Sequence, residues 1–332
     1  MHIVVTGGTG FIGAALSEQL AAQGHRVTLL TRDTNRAWRR LGSLCDYVEW
    51  DGVTPGTWET SFEEVEAVVN LAGASIADER WTESRKRHLI ESRVSATRLV
   101  VQTLGRRASR PVVLISGSGV GYYGASDDRL LDERAERGSG FLADLSEAWE
   151  AEACRAEALG VRVVRLRIGM VLERNGGALP HMLLPFKLFA GGPVAPGSQW
   201  VSWIHRQDLI GLIQWAMTNH TISGPLNAAA PGAVAMTEFC LVLGRVMGRP
   251  SWLPVPGFAV KLALGEMGTL LTTGQRVTPM VALSSGFPFV YPDLESALRA
   301  ILIGGPGPGP STPTGSKTPV SEEHFGARGS HP

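Results

Sequence analysis

Three groups of residues in this 332-residue chain have the types and spacing to do chemistry. The first is Gly7, Gly10 and Gly13, set three apart in T-G-G-T-G-F-I-G. The second is Thr31-Arg32, which closes the apolar run R-V-T-L-L-T, and Asp33 follows it. The third is Ser116, Ser118, Tyr122 and Tyr123 in I-S-G-S-G-V-G-Y-Y-G. Glycines permit a tight turn and let a phosphate approach backbone N–H groups that a Cβ would shield. After a second strand, an acid reads the ribose 2′-hydroxyl of NAD, whereas arginine favours the 2′-phosphate of NADP. Serine hydroxyls beside phenols could orient a substrate and move a proton.

The elements that must position these groups follow from pattern. Ile3, Val4 and Val5 form a short β-branched run, predicted to be a buried strand. A-A-L-S-E-Q-L-A-A-Q-G then reads as a helix ending at Gly24. Strand, glycine turn and helix together place free N–H groups and a positive helix end at one point, which suits a pyrophosphate. Further strands are predicted at R-V-T-L-L-T, Y-V-E-W-D, E-A-V-V-N-L-A-G, P-V-V-L-I-S and V-R-V-V-R-L-R-I-G-M-V-L (161–172). Trp50-Asp51 would lie near an adenine. A loop and then a long helix within 76–104, and another helix from Phe141, alternate with these strands, so a doubly wound parallel α/β sheet of Rossmann type is predicted.

The spacing assigns residues 1–175 to a dinucleotide-binding domain and 176–303 to a small C-terminal substrate domain. A strand near 224–230 would return to the sheet. From 304 to 332 the Gly-, Pro- and Ser-rich sequence predicts a disordered tail. The helix 181–190, the strand-like S-W-I-H and the helix 208–217 fall in the second half. There Asp208 reads as a helix cap with His205 packed beneath it. Arg36, Arg39 and Arg40 read as the exposed face of a short helix, and Arg85, Lys86 and Arg87 as a solvated face.

Composition narrows the partners. Basic and acidic side chains balance at 31 each, so no net field draws nucleic acid or an anionic membrane. No apolar run reaches the ~18 residues that a membrane span needs. Three scattered cysteines predict reduced thiols and no zinc site or other metal centre. A strand from residue 2 leaves no room for a targeting segment, which predicts a cytoplasmic protein. A small-molecule substrate and assembly as a homodimer are both compatible with this sequence.

T-G-G-T-G-F-I-G, N-L-A-G, I-S-G-S and W-I-H-x-x-D-L together resemble the extended short-chain dehydrogenase/reductases of the nucleotide-sugar epimerase group. The resemblance is closer to an atypical branch, the epimerase family proteins of subclass 39U. Its marks are R-W-T-x-x-R-K (80–86), E-S-R-V-S-A-T (91–97), G-Y-Y-G (121–124), S-W-I-H (202–205) and G-Q-R-V-x-P (274–279). The resemblance implies NADP(H) held by Gly7, Gly10, Phe11, Ile12, Gly13, Thr31, Arg32, Leu71, Ala72, Gly73, Arg93 and Val171, with His88 also facing it. It further implies an NADP(H)-dependent oxidoreductase or a nucleotide-sugar epimerase-like enzyme.

The departures fall on the proton-transfer machinery. The superfamily's tyrosine and lysine, four residues apart at the start of the sixth helix, are replaced by Phe141 and Leu145. Its usual asparagine on the long helix is replaced by Arg93. Ser118 remains, and Tyr122, Tyr123 or Asp144 could supply the proton, with Arg93 as a cation that lowers a phenol's pKa. The other reading is a non-catalytic NADP(H)-binding sensor or scaffold.

Overall fold

The computed structural model describes residues 1–304 except 109, so the predicted tail from 305 onward lies outside the described residues. Short runs of Val, Ile and Leu bounded by glycine or polar residues form the strands, as expected for segments too short to be helices. In chain order they are β1 (His2–Thr6), β2 (Arg26–Thr31), β3 (Asp46–Glu49), β4 (Ala67–Asn70), β5 (Val113–Gly119), β6 (Arg162–Ile168) and β7 (Gly224–Ala228). They make one parallel sheet of order β7-β6-β5-β4-β1-β2-β3. The order reverses between β1 and β4, and ligands of such sheets bind outside the strands' carboxyl ends at that point.

Alternation along each strand builds two layers. Ile3 and Val5 point into a core with Leu16 and Leu20 of α1 (Phe11–Ala22). Val4 points the other way, toward Leu99, Val100 and Leu104 of the long helix that runs Glu83–Arg106. That helix is α3, since α2 (Thr34–Leu41) precedes it; α4 (Phe141–Cys154) packs beside it. Beyond these come α5 (Leu179–Lys187), α6 (Arg206–Thr218) and α7 (Met236–Met247).

Two differences from the sequence pattern have clear causes. Residues 161–172 are predicted as one strand, but the chain leaves the sheet at Gly169. The Ser202 carbonyl oxygen stands 2.6 Å from where a Cβ at Gly169 would be. Met170–Glu173 then pairs with Trp203–His205 in a separate small sheet. The second is α6, which the division at 175 puts in the C-terminal domain but which packs on the sheet, while β7 joins the sheet where the sequence reading returns a strand. β7 pairs with β6, and Leu209, Leu212 and Ile213 of α6 share a core with α1 and the sheet. A second core forms mostly from the C-terminal half, around Phe186, Trp203, Phe239 and Leu298.

Candidate functional site

The phosphate turn is built from backbone. Gly7 has φ +67°, a left-handed conformation that residues with a Cβ seldom adopt. A Cβ there would also sit 2.6 Å from the Leu71 carbonyl oxygen. At Gly13 a Cβ would overlap the Gly7 carbonyl and lie 2.7 Å from the Gly8 Cα. Strand, turn and helix therefore close only with glycine at both places. The Gly10 N–H donates to the Gly7 carbonyl at 2.9 Å, and Gly10 is the N-cap of α1. The helix's free N–H groups and positive end point out of the turn, a cradle suited to a pyrophosphate.

Leu71, Ala72 and Gly73 run beside this turn, held by a buried polar relay. The Leu71 N–H donates to the Thr6 carbonyl at 3.2 Å, and the Ala72 N–H to Thr6 Oγ1 at 3.2 Å. Thr6 Oγ1 donates to Asn70 Oδ1 at 2.7 Å, and Asn70 Nδ2 donates to Thr97 Oγ1 at 2.8 Å. Trp149 Nε1 of α4 donates to the same Thr97 oxygen at 2.9 Å. The relay joins β1, β4, α3 and α4. Its one signal in the sequence is an asparagine ending an apolar strand.

The arginine end is exposed and open. Thr31 is buried, whereas Arg32 is exposed and makes no hydrogen bond or ion pair among the described residues. Asp33 is spoken for: its carboxylate caps α2, accepting from the Arg36 N–H at 2.8 Å. Arg40 reaches back and donates to the Thr9 carbonyl in the glycine turn at 2.7 Å. Positive charge thus stands beside the turn with no carboxylate reading the ribose position. Phe11 lies under the Gly176–Gly177 strand, which joins the turn to the Val171 segment. Asp51 caps a local turn by accepting from Val53 and Thr54, and Trp50 is buried against Trp58.

Arg93 and His88 occupy different settings. The Arg93 guanidinium donates to the Leu89 and Ala74 carbonyls and lies 5.2 Å from the centre of the Trp149 ring. Burial, then the nearby Arg85 charge, pulls its pKa down to about 10. It braces the 72–76 loop. His88 is exposed on α3. Arg85 and Lys86 depart from a solvated face: Arg85 donates to the Ser75 carbonyl, and Lys86 pairs with Glu266 at 2.5 Å.

Around Tyr123 the chain places a buried ion pair that the sequence reading misses. Arg167 of β6 grips Glu150 of α4, with Nε to Oε1 at 2.8 Å and Nη2 to Oε2 at 2.9 Å. Burial opposes the Arg167 charge, but the Glu150 contacts outweigh it and raise its pKa. Ser118 Oγ donates to Glu150 Oε1 at 2.7 Å. Arg167 also donates to the Tyr123 phenol at 3.0 Å, and that phenol donates to Asn227 Oδ1 at 2.7 Å. Burial drives the Tyr123 pKa up to about 12 despite these partners. Ser118 and Tyr123 are therefore members of a buried network. Tyr122 differs: it is half-buried, its hydroxyl makes no hydrogen bond among the described residues, and Arg167 stacks 3.5 Å from its ring centre. The cation beside the phenols is Arg167, and Arg93 braces a loop elsewhere. Three arginines in the strand V-R-V-V-R-L-R-I were the available signal.

The start of α4 is apolar. Phe141 meets Trp81 edge-on at 5.1 Å, and Leu145 is buried. Asp144 is exposed and paired with Arg137. In the second half the cap roles are reversed from the sequence reading. His205 caps α6, its Nδ1 accepting from the Gln207 N–H at 3.0 Å, while Asp208 accepts from the Val290 and Tyr291 N–H groups. Burial lowers the His205 pKa to about 4 and raises that of Asp208. Both are structural. Among the described residues no group of His, Cys, Asp and Glu could hold a metal.

Residues 3–229 match the NAD dependent epimerase/dehydratase family, and 255–301 match a domain of unknown function, DUF1731. The epimerase family protein YfhF of Bacillus subtilis is 42% identical over 305 residues, covering 91% of this chain and 98% of its own. The crystal structure of the human epimerase family protein SDR39U1 with NADPH superposes with a TM-score of 0.79 at 34% identity. That match covers 91% of this chain and 99% of the human one. The chain belongs to the NAD dependent epimerase/dehydratase family.

Proposed function

We propose that this family member binds NADP(H) along the carboxyl edge of its sheet and acts as an oxidoreductase or nucleotide-sugar epimerase-like enzyme on a small molecule. The observation that carries the cofactor half is the cradle at Gly7–Gly13 beside an open Arg32. A Cβ at Gly7 or Gly13 would strike the chain itself, so glycine there is what lets the turn close and present the helix N–H groups to a pyrophosphate, and the Asp33 carboxylate beside Arg32 is held in the α2 cap. The human relative solved with NADPH supports the same reading. Gly7, Gly10 and Gly13 with Phe11 and Ile12 would hold the pyrophosphate, and Thr31 and Arg32 the adenosine end. Leu71, Ala72, Gly73 and Val171 would line the path to the nicotinamide.

When bound, NADP(H) supplies or accepts a hydride. The chain's own task is the proton. Phe141 and Leu145 cannot move one, Ser118 is committed to Glu150, and Tyr123 is committed to Asn227. Tyr122 is the remaining candidate, since its hydroxyl makes no hydrogen bond among the described residues and its ring lies against the Arg167 guanidinium at the edge of the network. The test is oxidation of NADPH against a panel of carbonyl and nucleotide-sugar compounds. Tyr122→Phe should cut turnover by roughly 10²–10⁴ with NADPH affinity intact; full activity in that variant removes Tyr122 from the mechanism.

A second reading has its own observation. The apolar α4 start and the committed Ser118 also suit a protein that binds NADP(H) without turnover. Tight NADPH binding with no substrate consumed across the panel would favour it.

A further inference from the structure

The surface of the C-terminal half carries a feature that the dinucleotide site does not use. Leu184, Leu188, Phe189, Trp252, Phe258 and Leu262 are all exposed, with Phe258 at 77% and Leu262 at 80%. They come from two stretches, 179–192 and 249–264. These meet where 189–194 passes 252–255: the Trp252 and Leu253 N–H groups donate to the Gly191 carbonyl, and Val194 bridges to Val255. Single exposed apolar residues are ordinary, but a contiguous set marks a surface that meets something.

The patch is built. Phe189 holds φ +59°, a backbone state that a bulky residue seldom adopts. Trp252 Nε1 donates to the Phe189 carbonyl at 3.0 Å and fixes that turn. Phe258 and Leu262 are four apart on the helix Gly257–Leu264 and share one face of it.

Charge selects the occupant. Neither stretch contains Asp or Glu, although the whole chain has 31 of them. They carry Lys187, Arg249 and Lys261, none of which has an ion-pair partner among the described residues. The Arg249 guanidinium stacks 4.3 Å from the Phe189 ring centre. Leucine and aromatic rings rimmed by unpaired cations match the boundary of an anionic bilayer. Apolar groups enter the acyl edge there while lysine and arginine stay at the headgroups. We propose that this face seats the protein on an anionic phospholipid surface. No helix among the described residues is long and apolar enough to cross a membrane, so the contact would be peripheral. It departs from the sequence expectation of no membrane partner, because net charge averages over the chain and hides a local imbalance.

The test is co-sedimentation of the full chain with vesicles of phosphatidylcholine alone or mixed with phosphatidylglycerol. Binding should need the anionic lipid and weaken as salt rises. Lys187→Glu with Lys261→Glu should lower partitioning about tenfold or more, and Phe258→Ser with Leu262→Ser should abolish it. NADPH affinity and melting temperature, measured on each variant, should stay as in the parent protein and so report the fold. The proposal is overturned by no binding to the mixed vesicles, or by equal binding to neutral ones. It is also overturned if these variants instead abolish a concentration-dependent dimer, which would make the face an interface between copies.

Discussion

The two ends of the candidate site are built by opposite means. At the phosphate end the chain supplies backbone: a left-handed Gly7, a Gly13 with no room for a Cβ, and helix N–H groups. Around Tyr123 it supplies a buried ion pair, with Ser118, Tyr123 and Asn227 bonded around it. A backbone site is rigid once the turn closes and tolerates change in its side chains. An ion-pair site depends on every member, because removing one partner leaves a charge without water or counter-ion. The first end can lose its ligand without losing the fold. The second cannot be altered without cost to the fold.

The largest expected effect tests that dependence. Arg167→Met should destabilise the protein toward the lower end of about 3–5 kcal/mol, since Glu150 would stay buried with only the longer Arg165 contact at 3.5 Å left to it. Urea unfolding measures it. The double variant with Glu150→Gln should recover much of the loss, because the stranded charge is then gone. If the single variant loses less than about 1 kcal/mol, the network is not a unit and the contrast fails.

Next comes Gly13→Val. Its Cβ would overlap the Gly7 carbonyl, so the turn must open and the cradle is lost. NADPH affinity by calorimetry should fall by roughly 100-fold or more while the far-ultraviolet circular dichroism stays near that of the parent protein. Normal affinity in this variant would break the assignment of the turn.

Arg32→Ala sharpens the same end on a smaller scale. A charge-assisted contact to a 2′-phosphate is worth about 1.5–3 kcal/mol, or roughly ten- to a hundredfold. NADPH should weaken by that factor and NADH hardly at all. A parent protein that binds the two cofactors equally would remove arginine from the selection.

What was legible in the sequence follows the same division. Glycines at three-residue spacing after a β-branched run announce a backbone turn, because the restraint acts between close neighbours in the chain. The sheet was legible for a related reason: strand and helix periods are local. Glu150 and Arg167, by contrast, meet across two elements, and Tyr123 and Asn227 lie 104 positions apart. Nothing in the local spacing around Ser118 says that its hydroxyl will be taken by an acid on the next helix. The same limit explains His205 and Asp208. Their order suggests that the aspartate caps the helix, but the histidine ring reaches the Gln207 N–H first and the aspartate turns to the 290–291 backbone.

The smallest expected effect concerns that histidine, which is buried, as the ion pair is, but holds no charge. His205 lies against Tyr291 with ring centres 4.0 Å apart, and burial lowers its pKa to about 4 from 6.5. Glu173 nearby favours the charged form, but less than burial opposes it. With the folded pKa depressed, the folded state refuses a proton that the unfolded chain accepts below about pH 6.5. Stability is therefore full above that pH and falls as pH drops toward 4, at up to about 1.4 kcal/mol per unit. Between pH 7 and 6 the loss should be only about 0.7 kcal/mol. His205→Asn keeps a side-chain acceptor for the Gln207 N–H and removes the titration. Urea midpoints for the two proteins should diverge at neutral pH, where the lost ring packing costs the variant stability, and converge as pH falls toward 5. A gap that stays constant from pH 7 to 5 would show that His205 takes up its proton alike in the folded and unfolded chain, so that its folded pKa is not depressed and the acid sensitivity of the fold belongs to its carboxylates.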